Sequence, residues 1–330
     1  MRTAAVGLFL FGAALTACQD HASPSAESLA PALAKASKQL SGTPTERAAQ
    51  LVAKVNARLL AAGSTKRLDD VWMFSVGQGT DPFRRLRTGS RWPDPRILTY
   101  MIDEDYTTDV PAGQVLAAIR TSFERHDAVR NITLNLTELP FNGQNNDILD
   151  GIITDQDGNC VDIVDLDSPR VLDYDPATGQ IEIDLIVDNL FGGWIDPQYF
   201  ADCLGSANII GVTWSFSDVD GALGQGRDGY RDLVYTEQFY NNAFQWVDGG
   251  SPFLSAIMDI QSIVTHEVGH TVGLGHFGGP NTNQPFKLQP NGRVFDPEAV
   301  MNPFYLGGDK PELQPTDIAG LRALYGSKTK

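Results

Sequence analysis

The feature that most constrains this chain is residues 266–276, an eleven-residue stretch that holds three of its five histidines. The stretch reads H-E-V-G-H-T-V-G-L-G-H, which has the pattern H-E-x-x-H-x-x-G-x-x-H. His266 and His270 are four positions apart, so on a helix both imidazoles project from one face and can bind the same metal. Gly273 can adopt backbone angles closed to other residues. The helix can therefore end there and bring His276 round as a third ligand.

Three neutral imidazoles leave the fourth position of a tetrahedral Zn²⁺ site free for water, which is typical of catalytic rather than structural zinc. Glu267 follows the first ligand, where it can take a proton from such a water. A lone H-E-x-x-H also occurs on ordinary amphipathic helices, but this chain has the glycine and the third histidine as well. The stretch therefore predicts a catalytic zinc centre with His266, His270 and His276 as ligands and Glu267 as general base.

Length and net charge limit the domain organisation and the binding partners that this chain can have. The 330 residues, 42% of them hydrophobic, allow one large domain or two small ones. The formal net charge of −16 argues against nucleic acid, which needs a basic footprint, and against an anionic membrane surface. The acidity is concentrated between residues 141 and 207, where 14 Asp and Glu accompany a single basic residue, Arg170.

The N-terminus has the pattern of a targeting segment. Arg2 precedes an apolar run over residues 4–17, which is shorter than the roughly 20 residues of a membrane-spanning helix and typical of a signal-peptide core. The run ends in Leu-Thr-Ala-Cys18, which resembles a bacterial lipobox. We expect a signal peptide over residues 1–17 and a lipid anchor at Cys18 as the only membrane contact. The protein would then be extracytoplasmic, at an outer membrane or cell surface; secretion after ordinary cleavage is the alternative.

The remaining cysteines and the acidic runs give two further predictions. With Cys18 lipidated, Cys160 and Cys203 predict one disulfide in an oxidising compartment, two buried thiols being the alternative. Alternating carboxylates are typical of Ca²⁺ loops, but here none completes the helix–loop–helix calcium pattern. Calcium sites and solvated acidic turns therefore both stand as interpretations. The acidic runs are 155–158, 173–175 and 218–221.

Hydrophobic periodicity predicts the secondary structure. After a tether over residues 19–42, a helix begins at Thr43 or Thr45 and presents an apolar stripe of Leu51, Val55 and Leu59. Further on, a strand, helix, strand series predicts a parallel βαβ unit. The predicted strands are 96–102, 132–136, 209–216 and 233–236, and the predicted helices are 113–126, one through the zinc motif with Ile257, Ile260, Ile263 and Val264 on its buried face, and one over 315–326.

These motifs together resemble the metzincins, and most closely the matrixin-like branch that includes the matrix metalloproteases. The zinc motif matches at all five fixed positions. Met301, 25 residues after the last histidine, resembles the Met-turn beneath the metal. The segment Pro303-Phe304-Tyr305 resembles the wall of the pocket for the residue after the scissile bond. Residues 317–326 resemble the ending of the C-terminal helix, and residues 91–93 the start of the catalytic domain.

The resemblance implies an α/β (α+β) zincin-like fold with a twisted, mostly parallel five-stranded sheet, an active-site helix and a C-terminal helix. It implies a catalytic domain over residues 91–330 with an acidic insert at about 140–207, after a tether or pro-segment over 18–90. The implied activity is zinc-dependent hydrolysis of peptide bonds in extracytoplasmic proteins, by a monomer. The alternative is a non-catalytic, metal-containing binding protein at the cell surface, which would not need Glu267.

The N-terminal part departs from the matrixins. It has no Pro-Arg-Cys-Gly switch, and Cys18 is the only cysteine before the domain, so we expect no thiolate-based latency. Inhibition would have to come from the helix near 43–62 lying over the cleft, or from Asp69 or Asp70 reaching the zinc; a plain spacer is the alternative. For a bound peptide we expect pairing with an edge strand near 233–247.

Overall fold

The structure is a computed structural model. It describes residues 42–61, 65–76, 90–143, 147, 153–154, 160–162, 173–175, 180–182, 187–218, 230–253, 255–276, 287–288, 294–295, 299–305, 307–309 and 311–326. The predicted signal peptide, the lipidation site Cys18 and residues 19–41 of the predicted tether lie outside these residues. Among the helices described, none combines the length and apolar character that crossing a membrane requires.

The described residues form five helices and sixteen strands. The helices are α1 (Pro44–Ala61), α2 (Ala112–Asp127), α3 (Pro197–Asp202), α4 (Ile260–Thr271) and α5 (Pro315–Tyr325). The strands are β1 (Lys66–Val76), β2 (Ser90–Arg91), β3 (Leu98–Ile102), β4 (Leu136–Leu139), β5 (Ile153–Thr154), β6 (Cys160–Asp162), β7 (Asp173–Asp175), β8 (Gln180–Glu182), β9 (Asn189–Ile195), β10 (Ile209–Asp218), β11 (Arg231–Asn241), β12 (Gln245–Val247), β13 (Ile257–Asp259), β14 (Lys287–Leu288), β15 (Val294–Phe295) and β16 (Phe304–Tyr305).

One mixed sheet of eight strands forms the centre of the fold. Its order is β16-β1-β10-β11-β9-β3-β4, with β2 paired beside β11. Strands β4, β3, β9 and β11 are parallel to one another, and β10 is antiparallel to β11. These five strands agree with the expected mostly parallel sheet. The sheet is wider than the expected five strands because β1 pairs with β10 and β16 pairs with β1.

The predicted βαβ unit forms as β3, α2 and β4, but its second strand begins later than expected. The prediction placed a strand over residues 132–136, whereas β4 begins at Leu136. The backbone of Ile132 instead bridges to Gly326, and the N–H of Thr133 donates to the carbonyl of Tyr325 over 2.9 Å. The first residues of the predicted strand therefore fasten the end of α5 rather than extend the sheet.

Helices pack on both faces of the sheet. Helices α2 and α4 share one apolar cluster with residues of β3, β9, β10 and β11, and α1 and α3 share another with the opposite face. The predicted stripe of α1, Leu51, Val55 and Leu59, is fully buried in that second cluster. Burying such side chains stabilises the fold by roughly 1.5–3 kcal/mol each. Helix α1 is thus part of the folded core.

Candidate active site

The zinc motif lies on α4, and local capping fixes where this helix begins and ends. The carboxylate of Asp259 accepts a hydrogen bond from the N–H of Ser262 over 2.8 Å at the first turn. Gly273 has a φ of +86°, which is a left-handed conformation that favours glycine. The chain therefore leaves the helix immediately after Thr271 and returns His276 toward His266, as predicted.

The three histidines converge on one point. The Nε2 atoms of His266 and His270 are 3.1 Å apart, those of His270 and His276 are 3.1 Å apart, and those of His266 and His276 are 3.2 Å apart. Three nitrogens at this spacing can each lie about 2.0–2.1 Å from a single Zn²⁺ ion, as tetrahedral zinc requires. Among the described residues, these side chains are the one group of three or more metal-ligating residues close enough to share an ion. The donor set fits zinc.

The other ring nitrogens of two of these histidines face backbone carbonyls. Nδ1 of His266 lies 2.7 Å from the carbonyl oxygen of Val300, and Nδ1 of His270 lies 2.8 Å from that of Leu274. A carbonyl can only accept a hydrogen bond, so Nδ1 carries the proton and Nε2 is left free for a metal. Burial holds the pKa of both imidazoles well below their usual range. Both are therefore neutral, the form that binds metal.

Glu267 lies beside this triangle, fully buried. Its Oε2 accepts a hydrogen bond from the hydroxyl of Thr213 over 2.5 Å, whereas Oε1 has no hydrogen-bond partner among the described residues. A β-carbon built on Gly211 would lie 2.7 Å from Oε1, so the carboxylate needs a glycine on the strand above it. Burial raises the pKa of Glu267 to about 8. Sequence reasoning missed both β10 residues, although a glycine inside a strand pattern indicates a close approach of this kind.

Met301, the residue of the predicted Met-turn, lies beneath the motif. It is fully buried, and its sulfur occupies the space that a β-carbon on Gly269 would need. The carboxylate of Asp317, on α5, accepts hydrogen bonds from the backbone N–H groups of Val300, at 3.0 Å, and Met301, at 3.2 Å. The turn that positions the Val300 carbonyl against His266 is thus fastened to the C-terminal helix.

The proposed pocket wall runs alongside β1. The carbonyl of Pro303 accepts a hydrogen bond from the N–H of Ser75 over 3.4 Å, and Phe304 and Tyr305 pair with Ser75 and Val76 in parallel register. The Tyr305 hydroxyl is bonded to the Gly308 carbonyl at 2.9 Å, which fixes its ring against the fold. The side chain of Phe304 lies outside the described part of the chain.

Strand β1 passes directly over the histidines. The ring of Phe74 lies face to face with that of His266, with centroids 3.8 Å apart and planes at 1°. The indole of Trp72 stacks on His270 at 4.8 Å and meets His276 edge-on at 5.4 Å. With these contacts, all three histidines are fully buried.

Two of the three routes to inhibition considered above were wrong, and so was the expected edge strand. Helix α1 packs on the face of the sheet opposite α4 and does not lie over the histidines. The carboxylate of Asp69 binds Ser90 and Arg231 instead of approaching the site, and the side chain of Asp70 lies outside the described part. The expected edge strand near 233–247 is largely β11, which lies inside the sheet between β10 and β9.

The cysteine and calcium predictions fall largely outside the described side chains. Cys203 is fully buried and disulfide-bonded, but the side chain of Cys160, its expected partner, is not described. The side chains of the acidic runs at 155–158 and 173–175 are not described either. In the third run, the carboxylate of Asp218 accepts an ion-paired hydrogen bond from Lys66 at 2.6 Å.

Parts of this chain are similar in sequence to known metalloendopeptidases. No family model matches the chain. It is 32% identical to human matrilysin over 179 residues, which are 48% of this chain and 57% of matrilysin. It is 34% identical to metalloendoproteinase 5-MMP of Arabidopsis thaliana over 74 residues, which are 22% of this chain and 16% of that protein. The chain thus spans little more than half of one relative and about a sixth of the other. These partial similarities support a relationship to the matrixin-type zinc metalloendopeptidases.

Proposed function

We propose that this chain is a zinc-dependent endopeptidase of matrixin-like metzincin type. The observation that carries the proposal is the triangle of Nε2 atoms 3.1–3.2 Å apart with the unpartnered Oε1 of Glu267 beside it. A site that only held a metal would need the histidines but not this carboxylate. An acidic oxygen buried without a hydrogen-bond partner destabilises the fold, which is understandable if the oxygen serves in a reaction.

The residues divide the work as follows. A zinc ion bound to His266, His270 and His276 would polarise a carbonyl and lower the pKa of a coordinated water to about 7. Glu267 takes the proton of the attacking water at Oε1 and returns it to the leaving amine, while the Thr213 hydroxyl holds Oε2 in place. Burial raises the pKa of Glu267 to about 8, and a cation bound beside it would lower this pKa, so that the carboxylate is ionised and can take the proton.

Other parts of the proposal rest on the sequence. The N-terminal pattern supports a lipoprotein anchored through Cys18 to an outer membrane or cell surface, with secretion as the alternative. Substrates would be extracytoplasmic proteins or peptides, and the enzyme would act as a monomer. A disulfide between Cys160 and Cys203 would close the acidic insert. The acidic turns of the insert would either bind calcium or be solvated.

The test is a metal analysis paired with a peptide-library digest of the full-length protein. We expect a single zinc per chain, and cleavage that stops when the metal is chelated. The variant Glu267→Ala should retain the zinc and lose cleavage by at least about 10²–10⁴-fold, because a general base is lost and a ligand is not. His276→Ala should lose both.

The library must also be offered to the protein with Trp72 and Phe74 replaced by alanine, since these rings cover the site. If zinc binds and neither form cleaves any peptide, the protein is a metal-containing binding protein. Normal turnover by Glu267→Ala would refute the mechanism while leaving an enzyme.

A further inference from the structure

Strand β1 fills the sheet edge that borders the three histidines. Residues 66–75 pair antiparallel with β10, and Ser75 and Val76 pair parallel with β16. The backbone of β1 is thus held from both sides, as the backbone of an extended peptide is held when it adds to a sheet. A substrate of the proposed enzyme would need this position, because the other edge of β10 is paired with β11.

The side chains of β1 alternate between the site and the core. Trp72 and Phe74 point to α4 and cover the imidazoles, whereas Met73 points to the opposite face and packs in the cluster that contains α1. Phe74 also meets the ring of Tyr305, a residue of the proposed pocket wall, with ring centroids 6.0 Å apart. Phe74 therefore sits where the side chain after a scissile bond would sit.

We propose that β1 is an intramolecular pseudosubstrate, with Phe74 in the pocket for the residue after the scissile bond. It must leave the groove before any peptide enters. The inference rests on the proposed function and adds to it a means of control: the site is closed by two aromatic rings and a paired strand, with no thiol among residues 66–76. It also names a substrate preference. Peptides with an aromatic residue at the position of Phe74 should compete best for the open groove.

One buried polar group destabilises the closed form and favours the release of β1 from the groove. The indole N–H of Trp72 is buried and has no hydrogen-bond partner among the described residues. A buried donor without a partner destabilises the form that buries it. On opening, this N–H reaches water. The structure thus combines a groove-filling strand with a group that is better solvated outside the groove.

The first measurement follows zinc leaving the full-length, zinc-loaded protein for a chelator in excess. A Glu267→Ala background removes any proteolysis, so the readout does not depend on activity. In the variant Trp72→Ala/Phe74→Ala, we expect zinc release to be faster by at least about tenfold, because local opening is easier once the rings are gone. Phe123→Ala is the matched control. This ring is also fully buried, but it stacks on Tyr100 and not on a histidine of the zinc motif, and its loss should leave the release rate unchanged.

A second variant locks the strand instead of loosening it. Arg67 and Ser217 are opposite each other in the β1–β10 register, and the Cα atoms of such partners lie about 4.5–5.5 Å apart, within reach of a disulfide. Arg67→Cys/Ser217→Cys should lose peptide cleavage when oxidised and regain it with a phosphine reductant. Ser217→Cys alone should respond to neither treatment.

The outcomes separate this inference from the proposed function. Faster zinc release in the aromatic double variant supports the pseudosubstrate, even if no form of the protein cleaves peptides. Unchanged zinc release in that variant overturns the inference even if the protein is a peptidase. Cleavage by the oxidised locked protein at the same measurable rate as by its reduced form also overturns it. If the aromatic variant does not fold, the test rests on the locked variant. Oxidation of this variant should slow zinc release and should stop peptide cleavage.

Discussion

The sulfur of Met301 lies against the α-carbon of Gly269, in the middle of the helix that carries the zinc motif. A β-carbon at Gly269 would overlap the sulfur and lie 2.9 Å from the terminal methyl group of Met301. Glycine is otherwise unfavourable inside a helix by about 1 kcal/mol relative to alanine. Close packing on the turn below therefore explains why this position of α4 has no side chain.

Gly269→Ala should therefore destabilise the protein by about 1–3 kcal/mol, despite the better helix propensity of alanine, because Met301 is fully buried and its displacement overpacks the core. Urea unfolding of the metal-free protein measures the loss. Gly113→Ala is the control, since a β-carbon there meets nothing within 4 Å; this variant should be neutral or slightly more stable. If the two variants had the same free energy of unfolding, Met301 would not exclude a side chain at position 269.

Asp317 links the C-terminal helix to His266, the first of the proposed zinc ligands. It is fully buried and accepts the N–H groups of Val300 and Met301, and the Val300 carbonyl in turn orients His266. Asp317→Asn keeps the shape but replaces an acceptor by a donor. We expect a loss of about 10–100-fold in zinc affinity, as is typical of groups that orient ligands.

A competition titration with a zinc chelator measures this affinity. Asp94→Asn is the control, because Asp94 is partly exposed and pairs with Arg96, two positions along the chain; the zinc affinity of this variant should not change. If Asp317→Asn unfolds more easily but binds zinc as tightly as the original protein, Asp317 supports the fold and not the ligand.

Much of the site could be predicted because its information is local. The spacing of His266, His270 and His276, with a glycine before the last, determines the ligand triangle within one helix and one turn. The stripe of α1 and the last helix follow from periodicity in the same way. None of these features depends on which distant segment packs against them.

The parts that could not be predicted depend on contacts between distant segments. Residues 71–74 read Val-Trp-Met-Phe, and β1 is buried on both faces, so no alternation of polar and apolar residues marks it as a strand. Its pairing with β10 joins residues far apart in the chain, which no local pattern specifies. The Val300 carbonyl and the hydroxyl of Thr213 were also missed, since backbone acceptors and single hydroxyls have no pattern of their own.

His126 should make stability depend on pH. It is fully buried on α2, and burial lowers its pKa from 6.5 to about 4. Because the folded pKa lies below the unfolded value, the unfolded chain binds a proton first as the pH falls. Stability is therefore lost between about pH 6.5 and 4, by about 3 kcal/mol in total.

The measurement is urea unfolding of the metal-free protein and of His126→Gln at pH 7 and pH 4.5. Metal must be absent, since zinc dissociates over the same range as its ligands are protonated. The original protein should lose more stability than the variant on acidification, by about 2–3 kcal/mol. If both proteins lost the same amount of stability on acidification, groups other than His126 would cause the pH dependence.

The last prediction concerns Cys203, which is disulfide-bonded and fully buried in the cluster beneath α1 and α3. Cys160 is 43 positions before it. If Cys18 carries lipid, Cys160 is the only partner left in the chain. Closing a loop of this length restricts the unfolded chain and should stabilise the fold by about 4 kcal/mol if the bridge is unstrained.

Peptide mapping of the unreduced mature protein should therefore find Cys160 linked to Cys203 and neither thiol free. Cys160→Ser and Cys203→Ser should each lower the free energy of unfolding. Cys203→Ser should lower it further, because it also places a hydroxyl in an apolar core. The double variant should be no less stable than Cys203→Ser, since a bridge can be lost only once. A peptide that links Cys18 to Cys203 would contradict both the disulfide and the lipid anchor, because a lipidated sulfur cannot form a bridge.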